Sequence, residues 1–135
     1  DLKGSSRVKI SISARERLAG AIERFPSEKR APLVANLSDL SIGTFTFGPL
    51  TLNEERRALV LSTIEEEYGF LEEEVRDNII NELIKKARDE FYLYVQSELS
   101  QKLRLAEAGH DEETVAKTLT LLMDINKRRQ EEAIV

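Results

Sequence analysis

The sequence has no cysteine, a single histidine and only three prolines in 135 residues. Without cysteine there is no disulfide, no thiolate metal ligand and no cysteine nucleophile, which fits a reducing, cytoplasmic setting. One histidine, His110, cannot build a zinc site alone. No Gly-x-Ser-x-Gly elbow, phosphate-binding loop or EF-hand loop is present, and no base can be assigned to any serine, threonine or tyrosine. The expectation is therefore no catalysis, no metal and no cofactor. No apolar run reaches the ~18 residues that a membrane helix needs. Residues 1–6 (D-L-K-G-S-S) have no apolar stretch of signal-peptide type and no initiator Met; they read as a disordered or appended tail on a piece of a longer protein.

Charged residues make up 33% of the chain and apolar residues 41%, a mixture typical of helix-rich proteins in which the apolar positions are periodic. The net charge of −5 argues against broad binding of nucleic-acid phosphates. The fold class expected is mainly α: an N-terminal helical bundle over residues 7–90 with short extended segments, then a C-terminal antiparallel helical hairpin over residues 91–135.

Val8, Ile10 and Ile12 alternate with polar residues, which predicts a short strand. Ser13 with Glu16 forms a capping box and opens a helix to about Phe25, with Leu18, Ile22 and Phe25 inward, and Pro26 ends it. Pro32 opens a second helix whose apolar face is Leu33, Val34, Leu37 and Leu40. Thr44–Phe47 favours extended structure, and two readings stand: a strand paired with Val8–Ile12, or an ordered loop whose two phenylalanines plug the core. Asn53 caps a third helix ending at Tyr68–Gly69, with Ala58, Leu61 and Ile64 as its core face and Leu59 and Tyr68 as further candidates for it.

From Leu71 to Ala108 there is neither glycine nor proline, and apolar residues recur every four positions: Leu71, Val75, Ile79, Leu83, Ala87, Phe91, Val95, Leu99, Leu103. A step of four overshoots one turn by about 40°, so the stripe winds round the helix and no single straight partner covers it. The first half should pack on the N-terminal bundle and the second half elsewhere. A kink or break near Glu90–Ser97 is the alternative to one continuous helix. Ala108–Asp111 reads as a tight turn, with Gly109 in the left-handed region and Asp111 as the next N-cap. The last helix runs to about Glu132, and the expected seam is Val95/Leu99/Leu103 against Val115/Leu119/Leu122.

The acidic runs Glu65–Glu67 and Glu72–Glu74 read as solvated faces, and Glu82 with Lys86 as an i,i+4 pair. Off the hairpin seam lie Leu105, Leu121 and Met123, with Lys127, Arg128 and Arg129 at the helix end; these six are the candidate partner contacts. Exposed apolar side chains on a rigid helix suit a docking contact. The reading is a non-catalytic protein–protein interaction domain. One alternative is an assembly subunit that self-associates through the hairpin; the other is a nucleic-acid-binding accessory domain using the hairpin's basic residues.

The segment Ser97–Gln130 resembles the end of the C-terminal helicase-binding domain of bacterial DNA primases, where a helical bundle feeds a long helix and a terminal hairpin. The matching residues are Leu103, Ala106, Glu107 and Asp111 at the turn, then Leu119, Leu122, Lys127 and Arg128. The resemblance covers only this segment, and the extended look of Val8–Ile12 and Gly43–Phe47 departs from the family's helical bundle. It implies a place in DNA replication and docking on the replicative helicase, without catalysis in this fragment.

Overall fold

A computed structural model describes residues 11–134. Five helices and one small hairpin follow in order: α1 (Ala14–Arg24), α2 (Ala31–Ser38), β1 (Ser41–Ile42), β2 (Phe45–Thr46), α3 (Glu54–Tyr68), α4 (Glu73–Ala108) and α5 (Glu112–Ile134). The fold is mainly α, as the periodicity predicts. No helix among the described residues is long and apolar enough to cross a membrane.

The capping signals are used. The Ser13 hydroxyl accepts from the Glu16 N–H, and the Ser13 N–H donates to Glu16. The Asn53 side chain accepts the Glu55 N–H at the start of α3. Two signals act differently. Gly69 closes α3 in the right-handed region (φ −64°), not as a left-handed cap. At the hairpin turn Gly109 has φ −88°, and His110 takes the left-handed conformation at φ 56°. Histidine is among the non-glycine residues that tolerate it.

The expected strand at Val8–Ile12 lies mostly outside the described residues; within them, Ser11–Ser13 is not in a strand. The Thr44–Phe47 segment pairs instead with its own neighbour: Ser41 opposes Thr46 and Ile42 opposes Phe45. Gly43 sits in the turn at φ +60°, a conformation that suits glycine. Both phenylalanines do pack inward. Phe47 is buried and meets Phe91 edge-on at 5.7 Å, and Phe45 meets Tyr94 edge-on at 6.2 Å.

α1 crosses α3 where Gly20 faces Val60 and Ile64. A Cβ on Gly20 would come within 2.6 Å of the Val60 Cγ1, so the crossing needs glycine. Four arginine–glutamate pairs surround it: Arg56–Glu16, Arg57–Glu23, Arg17–Glu67 and Arg24–Glu65. Thus Glu65 and Glu67 join α3 to α1 rather than forming a merely solvated face. The Arg56 hydrogen bond holds the Glu16 carboxyl below its ordinary range. The α3 core face is Val60 and Ile64; Ala58 is exposed and Leu61 only half-buried, one step out of the expected phase. In α2, Leu37 is buried while Leu33 is exposed. Lys85, not Lys86, pairs with Glu82, at 3.8 Å.

α4 is one continuous helix of 36 residues, about 54 Å long, with no break at Glu90–Ser97. Its first half packs on α1 and α2, and its second half on α5. The buried residues shift phase as the drift requires. They run Ile80, Leu83, Ile84, Ala87, Phe91, Tyr92, Val95, Leu99 and Ala106, which leaves Val75 exposed.

Candidate functional site

α5 returns antiparallel along α4 from the Gly109–Asp111 turn. Asp111 starts it: its carboxylate accepts the Thr114 N–H at 3.2 Å and the Thr114 hydroxyl at 2.6 Å. Those bonds, the side-chain one first, hold the Asp111 carboxyl below its ordinary range. At the far end, Arg129 pairs with Asp89 at 2.8 Å and Arg88 with Glu132 at 3.1 Å. The buried Tyr92 hydroxyl donates to Glu132 at 2.8 Å. Burial first, and then this bond to a carboxylate, push the Tyr92 phenol up to about 12.

This register brings Val95 and Leu99 opposite Ile125 and Leu122. The α5 residues that turn inward are Thr118 and Ile125, both buried, with Leu121 and Leu122 packed beside the core. Leu119, expected in the seam, is 44% exposed. The seam follows Val115, Thr118, Leu122, Ile125, Arg129 and Glu132, alternating steps of three and four. That alternation is the signal that places Thr118 inward. It is missed when leucine is preferred over threonine on hydrophobicity alone.

The six predicted contact residues separate. Leu105 is 76% exposed and Met123 70% exposed, both standing off the seam. Leu121 does not join them, because it packs over the Gly43 turn, where a Cβ would meet its Cδ1 at 3.1 Å. Arg128 is spent internally on Asp124 at 3.2 Å and on the Ser41 carbonyl at 3.4 Å, and Arg129 on Asp89. Lys127 is exposed. Two of the three basic residues thus hold α5 in place rather than offering charge to a partner.

The exposed apolar residues lie on opposite sides of the hairpin. Leu121 and Met123 are two positions apart, about 200° round the helix. The β-hairpin covers Leu121 and touches Tyr94. Eleven residues beyond Tyr94 on α4, three turns to within about 20°, Leu105 lies on that same side. There Leu105 is near the turn, with Lys102 and Lys117 also exposed. The other side shows Leu119 and Met123.

Elsewhere, a groove of about 690 Å³ lies between the end of α1 and α2, walled by Ile22, Phe25 and Val34. Arg30 at its edge is buried, but its guanidinium is engaged by Asp77 and the Phe25 carbonyl. Among the described residues no group of three His, Asp or Glu side chains converges to hold a metal ion, and His110 is exposed in the turn.

Comparison of the chain with family models, curated proteins and solved structures gives no match.

Proposed function

We propose that this chain is a non-catalytic helical docking domain. Its C-terminal hairpin would present the Leu105 side of α4, flanked by Lys102 and Lys117, to a protein partner carrying apolar and acidic groups. The observation that carries this reading is Leu105, 76% exposed on a continuous helix that packs along α5 and is clamped by ion pairs at its base. An exposed leucine on a rigid helix loses little conformational entropy when it enters a partner's groove. The resemblance of Ser97–Gln130 to the helicase-binding domain of bacterial primases makes the replicative helicase the partner to test first, and with it a role in DNA replication in the cytoplasm.

The test is a binding titration of the purified chain against a purified bacterial replicative helicase. Binding is expected, and Leu105→Glu should weaken it at least tenfold, since a charge would be forced into an apolar contact; that ratio corresponds to about 1.4 kcal/mol. Absence of binding would remove the helicase as partner. Binding indifferent to Leu105→Glu would remove this face.

A further inference from the structure

The outer side of α5 carries a second periodic stripe, independent of the buried one. Glu112, Ala116, Leu119, Met123, Asn126 and Gln130 alternate steps of four and three, and all six are exposed. This is the spacing of a coiled-coil seam, apolar at its centre and polar at its ends. Nothing in the described residues covers it.

The stripe is complementary to itself when reversed. About a two-fold axis near Leu121, Leu119 comes opposite Met123 of a second copy, Ala116 opposite Asn126, and Glu112 opposite Gln130. Along its outer edge run Glu113, Thr120 and Lys127, spaced by seven. The same axis brings Glu113 to within two residues, about 3 Å, of level with Lys127 twice, and Thr120 equally close to its own copy. Parallel pairing would instead set this edge beside Val115, Leu122 and Arg129 of the second copy, residues already turned towards α4, and would form no Glu113–Lys127 pair. Among the described residues of one chain, the ion pair of Glu113 is an exposed one with Lys117, at 3.0 Å. Such a pair contributes little and leaves Glu113 able to turn to a new partner.

We infer that α5 pairs antiparallel with α5 of a second copy through Leu119 and Met123, with the Glu113–Lys127 pairs fixing direction and register. The contact is isologous, each copy giving the same surface. Asn126, opposite only a small alanine, allows a polar group in the seam without overpacking. The strip is about 27 Å long and one helix wide. That is smaller than the ~800 Å² per partner of a standard interface, so the dimer is reversible and concentration-dependent. This inference rests on the hairpin being an interaction module, yet it uses the side opposite Leu105, so the two surfaces can fail separately.

The experiment is sedimentation equilibrium of the chain over a concentration series. Reversible dimerisation is expected, and Met123→Glu should leave a folded monomer with unchanged helicity. Lys127→Glu should weaken the dimer roughly tenfold, as two small charge pairs turn repulsive. Adding Glu113→Lys to it should restore association. Since the chain has no cysteine, Thr120→Cys tests the geometry directly. It should oxidise to a covalent dimer at concentrations where the exposed control Gln101→Cys does not. A wild-type chain that stays monomeric throughout, a charge-swapped variant no better than Lys127→Glu, or equal cross-linking at both cysteines would overturn the pairing. A monomer that still binds helicase through Leu105 would overturn it while leaving the docking proposal intact.

Discussion

The two ends of α4 lie in different kinds of packing. At its N-terminal half α1 and α2 press on it, the β-hairpin meets it just past its middle at Phe91 and Tyr94, and α1 crosses α3 closely enough to demand Gly20. At its C-terminal half α5 is, among the described residues, the helix that packs along it. The bundle's central side chains Leu18, Val60 and Ile64 are fully buried, whereas α5 buries one stripe and shows another. A helix packed on one side has a free face by geometry. Whether that face is apolar is then a matter of sequence, and here it carries Leu119 and Met123. The exposed large apolar side chains of the bundle, Leu33, Phe70 and Val75, lie apart on α2, the α3–α4 connection and α4, whereas Leu119 and Met123 share one stripe of α5.

The sharpest way to break this contrast is to ask whether the halves are separable. Ile125 is fully buried in the hairpin seam, and Ile125→Ala should cost about 3 kcal/mol through lost burial and a residual cavity. Because α4 is continuous, the loss should lower one cooperative thermal transition followed by circular dichroism. Two transitions would mean that the hairpin unfolds alone. In the bundle, Gly20→Ala should destabilise by about 1–2 kcal/mol. The added methyl collides with Val60, and the gain in helix propensity, at most ~1 kcal/mol, only partly offsets it. A neutral or stabilising result by urea titration would show that the crossing is looser than described.

Tyr92 tests the joint between the two halves. Its phenol is raised from 10.0 to about 12, so the folded state favours the protonated form. The stability this contributes is complete below pH ~10 and is lost as pH rises towards 12. Tyr92→Phe should cost about 1 kcal/mol at neutral pH by removing the bond to Glu132. It should also flatten the alkaline fall in stability over that window, measured by urea midpoints against pH. An unchanged alkaline fall would assign it to other groups.

How much of this was legible in the sequence follows from how local each signal is. Ser13, Asn53 and Asp111 cap helices through residues two or three positions away, so their patterns suffice. The unbroken α4 was legible from the absence of glycine and proline, and its division between two packing partners from the drift of its stripe. What depended on which face a neighbour chose was not. α5 carries two apolar stripes, and hydrophobicity favours Leu119 over Thr118. Near the turn the helix ends are held close, and the small residues Thr118 and Ala106 are the ones buried. Leu121 looked free because the β-hairpin that covers it comes from about 80 residues earlier in the chain. Arg128 and Arg129 looked available for the same reason, since Ser41 and Asp89 take them up across the fold. Of the candidate contacts, Leu105, Met123 and Lys127 stay exposed because no element among the described residues folds back over them.

The most direct test of the contrast is the urea stability of the double variant Leu105→Glu/Met123→Glu at a concentration where the chain is monomeric. If these side chains serve contacts rather than the fold, stability should stay within about 0.5 kcal/mol of the parent chain, as for ordinary surface substitutions. A loss of about 2 kcal/mol or more would place them in the folding core and contradict the account.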